Sequence, residues 1–199
     1  MKGMKRITNR VSAAVLALLT LASVACNKND KKESDPNLTL QNVTGQYVGT
    51  FDFTPAPSTI NPNPQPETGI DISFEVTPSG AVHFPEFPAA TLVKALMGEG
   101  ADALISALGT IAYDATLGTP TADASKLSAP LATPVLRIEI AALQMVVLVT
   151  IEAPEQFSYT KSGEATFTLK TTKCQLGEGE MAGEPFDLVN TLKFTAKKQ

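Results

Sequence analysis

Ile70-Asp71-Ile72-Ser73-Phe74-Glu75-Val76 alternates apolar and polar side chains without a break. A period of two puts the four apolar residues on one face and Asp71, Ser73 and Glu75 on the other. This is the pattern of an antiparallel strand with one buried and one wet face. The same period runs through Val43, Gly45, Tyr47, Gly49, Phe51 and Phe53, and through Leu136, Ile138 and Ile140. It returns at Ala165, Phe167 and Leu169 and at Leu192 and Phe194. Gln144 to Ile151 differs, being apolar at every position from Met145 to Val149. That run predicts a central strand covered on both faces.

One stretch has a helical period. Leu92, Val93, Leu96 and Met97 share a face, Gly98 and Gly100 interrupt, and Leu104, Ile105 and Leu108 continue up to Gly109. Two short helices with glycine stops are predicted over about 89–108, capping a barrel end or covering the strand around Val147. Pro55, Pro57, Pro62, Pro64 and Pro66 crowd the connection between the first two strands, which reads as a stiff surface loop. Leu117 to Pro134, rich in Thr, Ala, Ser and Pro, reads as a second loop. The fold class that follows is mainly β: an antiparallel sandwich or partly open barrel of about eight or nine strands with one helical insertion.

Composition narrows the chemistry. The 199 residues carry 16 basic and 20 acidic side chains, one His, two Cys and no Trp. With no basic run after position 32, nucleic acid is not an expected partner. A single His and two Cys give neither a zinc finger nor a disulfide framework, and no metal or cofactor is expected.

The N-terminus is an address. Lys2, Lys5, Arg6 and Arg10 precede a fifteen-residue apolar run from Val11 to Ala25, too short for a spanning helix and suited to a signal peptide. Small residues then lead into Cys26, and Asn27 to Leu40 is polar and mixed in charge. Leu21-Ala22-Ser23-Val24-Ala25-Cys26 resembles the lipobox of bacterial lipoproteins, with Ser23 in place of the usual Leu. That resemblance implies acylation of the Cys26 thiol; Ser23 and Ala25 also satisfy an ordinary signal peptidase. The expected organisation is a signal peptide over 1–25, a lipidated Cys26 and polar tether over 26–40, and one β-rich domain over 41–199. Loss of 1–25 leaves 12 basic against 20 acidic residues, so acyl chains rather than a basic patch would hold the mature chain to a membrane.

Lipobox, tether and acidic β domain together resemble the single-domain lipoproteins of Bacteroidetes that belong to families of unknown function. Asp30, Glu33 and Asp35 resemble the acidic signal that helps direct such lipoproteins to the cell surface. The implied location is the outer membrane, on its periplasmic side or at the cell surface.

Each chemical motif has a plain alternative. Gly98-Glu99-Gly100-Ala101-Asp102-Ala103 lacks the preceding strand that a dinucleotide fingerprint needs and reads as a helix break. Gly177-Glu178-Gly179-Glu180 reads as the turn joining the last two strands. His83 ends a short strand with no nucleophile beside it in sequence, and Cys174 reads as a half-buried strand residue. Asp71, Glu75, Glu139 and Glu152 are strand carboxylates on wet faces, from which glycan hydrolysis would require two to oppose each other across a cleft.

Thr44-Gly45-Gln46-Tyr47-Val48-Gly49-Thr50 resembles the Gly-x-Trp opening of lipocalin-like barrels, with Tyr47 at the Trp position. It implies an apolar cavity lined by Tyr47, Phe51, Phe53, Ile72 and Phe74. The leading expectation is a non-catalytic binding or accessory module of the cell envelope, held by Cys26, whose ligand is a small molecule, a glycan or a protein. The lipocalin-like carrier is second and an envelope glycan hydrolase third. The first predicts a solid aromatic core; the second predicts a cavity of about 300 Å³ or more.

Overall fold

The computed structural model describes residues 36–59, 61–141 and 144–199; the segments expected to be a signal peptide, a lipidated Cys26 and a tether, up to residue 35, lie outside the described residues. Ser34–Gln199 is a compact unit, built on an antiparallel sheet that curls into a half-barrel. Its N-terminal strands are β1 (Gly45–Pro55), β2 (Glu67–Val76), β3 (Ala81–Phe84) and β4 (Tyr113–Leu117). Three short strands follow: β5 (Thr121–Ala122), β6 (Lys126–Ala129) and β7 (Leu131–Ala132). A hairpin of β8 (Leu136–Ile140) and β9 (Met145–Glu152) precedes β10 (Phe157–Thr160), β11 (Glu164–Leu176) and β12 (Phe186–Lys198).

Across the sheet the order is β5-β6-β10-β11-β12-β1-β2-β3-β4-β7, with β9 and then β8 branching from β11. β11 forks: its first part pairs with β10 at Ala165 and Thr166, and Lys170 to Leu176 pairs with β9. The register shifts between Thr171 and Lys173. There the buried Thr171 hydroxyl donates to Leu188 O at 2.6 Å and accepts from Asn190 N and Nδ2 at 3.0 Å. A side chain thus satisfies main-chain groups that the interrupted ladder leaves over.

The alternation seen in the sequence sets the inside and outside of the half-barrel. Tyr47, Phe51 and Phe53 of β1 point inward and are buried, while Gln46, Val48, Asp52 and Thr54 are exposed. Phe167 lies at the centre of the core, with ring centroids 5.4 Å from Phe74, 5.6 Å from Phe157 and 4.6 Å from Phe194. Tyr47 stacks on Phe74 at 4.9 Å. On the outside, registered pairs align Asp71, Thr50, Thr195, Thr166, Ser158, Ser128 and Thr121 in one polar row across the sheet.

Three findings differ from the sequence reading. Among the described residues the strands number twelve rather than eight or nine. The excess comes largely from Leu117 to Pro134, which contains β5, β6 and β7. These strands are two to four residues long, too short to establish a period amid Ala, Ser, Thr and Pro. β9 is not covered on both faces: Met145 to Leu148 are half-buried, and only Val149 and Ile151 are buried. Its place on the branch from β11, with only β8 beyond it, leaves its outer face partly in water.

The helical insertion falls where the sequence puts it. α1 (Leu40–Val43) precedes the sheet; α2 (Ala89–Met97), a 3-10 turn over Gly98–Ala101 and α3 (Asp102–Leu108) form the insertion. Gly98 and Gly109 both stand at helix C-caps with φ +62° and strongly negative ψ, an extended positive-φ conformation that is essentially restricted to glycine. Ala89, Leu92 and Leu108 are buried against the core, and Val93, Leu96 and Leu104 pack around them. The insertion and the proline-rich loop occupy the end of the sheet where β1 finishes and β2 begins. α1 and the first described residues occupy the opposite end, where Leu38 N donates to Asp123 O at 2.8 Å.

Candidate binding clefts beside helix α2

β2 and β3 separate early. Only Glu75 and Val76 of β2 pair with β3, at His83 and Val82. After Phe84, Pro85 and Pro88 end the strand and turn the chain into α2, since proline gives no N–H to a ladder. The upper half of β2 therefore faces α2 across a gap. One cleft of about 610 Å³ lies there, between Ile70–Ser73 of β2 and the segment Glu86–Thr91, with Phe51 and Phe87 also in its lining. A second, about 650 Å³, continues past Thr91 to Phe53, Asn61, Gln65, Glu67, Lys94 and Asp102. Thr91 lines both, so the two form one groove along α2. Lys94 Nζ meets Glu67 Oε1 at 2.7 Å across it, which holds the Lys94 ammonium above its ordinary pKa by hydrogen bond and charge.

The proline-rich loop forms the far wall. Asn61 Nδ2 donates to Ala95 O of α2 at 2.8 Å, and Ser58 Oγ accepts from Asn61 N at 3.0 Å. On the other side of this strap a cleft of about 500 Å³ lies among Pro57, Pro62, Leu96 and Phe186.

The five residues expected to line a lipocalin-like cavity are all inward and buried, but they do not share a space. Tyr47 and Phe74 stack within the closed core, where the Tyr47 hydroxyl donates to Val43 O. Burial raises the Tyr47 pKa well above that of a free phenol, with the nearby Tyr159 adding to the shift. Phe51 and Ile72 reach the first cleft and Phe53 the second. The sequence signal that would have found the groove is Pro85 and Pro88, which stop β3 short of covering β2.

The remaining candidates separate. His83 Nδ1 lies 2.7 Å from Asp114 Oδ1, its cross-strand neighbour on the wet face. Cys174 is buried rather than half-buried, and burial pushes its thiol up to about 11, away from the thiolate. Glu139 stands opposite Val146 and Glu152 lies six residues further along β9. At about 3.3 Å per residue they are roughly 20 Å apart, beyond the ~5–10 Å over which two carboxylates work on one glycosidic bond. Glu139 is instead paired with Arg137 at 3.1 Å. Among the described residues no group of three or more His, Cys, Asp and Glu side chains is placed to hold a metal ion.

No protein-family model, curated protein or solved structure matches this chain. The groove beside α2 therefore stands on its own geometry: an apolar floor of Phe51, Phe53 and Ile72, amide and charged side chains along the walls, and one ion pair across it.

Proposed function

We propose that this protein is a lipid-anchored binding or accessory module of the cell envelope, without catalysis of its own. It would be tethered through Cys26 and would bind its ligand in the groove beside α2. The observation that carries this reading is the polarity of the domain. The chain enters beside α1 and the β5–β6 turn, whereas the helical insertion and proline-rich loop stand at the other end of an eleven-residue strand. At about 3.3 Å per residue that strand spans roughly 35 Å, so a tether at one end leaves the groove free for contacts.

The solid aromatic core favours this module over the lipocalin-like carrier. Tyr47 and Phe74 stack on each other in the core, while Phe51, Ile72 and Phe53 border open clefts at the sheet margin rather than one shared cavity. An outer-membrane location, on the periplasmic side or at the cell surface, follows from the lipobox-like sequence and belongs to the same proposal.

Native mass spectrometry of the full-length protein extracted from its own membrane tests it. The expected mass is that of Cys26 to Gln199 plus acyl chains, with no further adduct. A displaceable small-molecule adduct would transfer support to the carrier. An unacylated mature chain would overturn the lipid anchor.

A further inference from the structure

The open margin of β2 has a defined hydrogen-bonding polarity. Thr77 N donates to Ala81 O at 2.8 Å, so residue 77 directs its main-chain groups toward β3. Direction alternates along a strand, and the β1–β2 register is unbroken from Val76 back to Ile70. Asp71 and Ser73 therefore turn their N–H and C=O away from β1 and into the groove. β3 pairs only as far as Glu75, and among the described residues β1 is the one strand that pairs with β2 at these two positions, leaving their other side without a strand. An unpaired edge of this kind is a template for another strand.

We propose that this edge accepts an extended peptide as an added strand, and that the peptide alternates apolar and basic side chains. The alternation follows from the two sides of the strand. Side chains directed inward would meet Phe51, Ile72 and Phe87 in the groove floor, and those directed outward would pass Asp71 and Glu86. These two are the only charged residues in the lining of that cleft, and both are acidic. A guest strand with Lys or Arg on its outer side is therefore complementary, and one with Glu or Asp is repelled. The inference rests on the binding-module reading for its site and names the class of partner; the lipid anchor does not enter it.

The probe is a capped octapeptide of alternating Lys and Val, with an alternating Glu and Val peptide as control, added to the full-length protein in detergent. At millimolar Lys–Val peptide, amide exchange at Asp71 and Ser73 is expected to slow at least tenfold, and the Glu–Val peptide to leave it unchanged. Ser73→Pro removes one groove-facing N–H without touching the β1–β2 ladder, and is expected to weaken binding at least tenfold. Asp71→Lys combined with Glu86→Lys alters only exposed side chains and is expected to reverse the preference between the two peptides. Unchanged exchange at both amides, equal binding of the two peptides, or a preference that survives the double charge reversal would overturn the proposal. None of these outcomes depends on whether Cys26 is acylated, so failure here and failure of the anchor are distinguishable.

Discussion

Single atoms decide much of the geometry near the centre of the sheet. Gly49 is flanked so closely by β12 that a Cβ there would lie 2.2 Å from Thr195 O and 2.4 Å from Ala196 Cα. Its φ is unexceptional, so the requirement is for space rather than for left-handed backbone. Gly49→Ala is expected to lower stability by about 1–3 kcal/mol through overpacking, read as a lower urea midpoint. Thr171 is the other critical atom set, because its hydroxyl serves both Leu188 and Asn190 within the core. Thr171→Val keeps the shape and strands those groups, and the expected cost is about 3 kcal/mol. Neither role was legible in the sequence. Gly49 reads there as one more inward position of an alternating strand, and Thr171 as one of many threonines. Close approach and buried polar satisfaction arise only once the partner strand is in register.

At the scale of elements, legibility followed length. The eleven residues of β1, the ten of β2 and the thirteen of β12 carry enough alternation to show themselves, and the glycine stops bounded the insertion at 89–108. The groove was legible only indirectly: it is the space left where β3 departs from β2, and Pro85 and Pro88 mark where β3 stops without showing what β2 then faces. The tip of the β11–β12 hairpin is held in another way. Arg137 of β8 grips Glu178 with two bonds, Nε to Oε2 at 3.0 Å and Nη2 to Oε1 at 2.7 Å. The hydrogen bond and charge of Arg137 hold the Glu178 carboxyl below its ordinary pKa. A carboxylate whose pKa is lowered in the folded state favours that state above its unfolded pKa, and the contribution fades as pH falls through the folded value. The Arg137 Nε–H resonance is therefore expected to keep its bonded position from neutral pH down to the ordinary carboxylate range and to lose it on further acidification. In Glu178→Gln that acid transition should be absent. The strap is fastened to α2 by the Asn61 amide, and Asn61→Ala is expected to speed proteolysis within residues 55–66 while costing only about 1 kcal/mol of global stability.

The whole molecule is organised around its rings. Phe167 meets Phe74, Phe84, Phe157 and Phe194, which come from four other strands, so its truncation is felt throughout the sheet. Phe167→Ala is expected to cost about 3–5 kcal/mol, measured as a single cooperative shift in thermal unfolding. That the inward aromatics would make a core was legible from their alternation; whether they enclosed space was not, because ring packing depends on how tightly the sheet curls. The pairing of β1 with β12 has a consequence in time. These neighbours lie at opposite ends of the domain's sequence, with Tyr47 opposite Lys198. Phe51 finds Phe194 only through that pairing. A ribosome must therefore release everything from β1 through β12 before the middle of the sheet can zip. Contacts of such long sequence separation are slow to form. Until β12 has emerged, the nascent chain is without its central seam, and the aromatic face of β1 waits uncovered on that side.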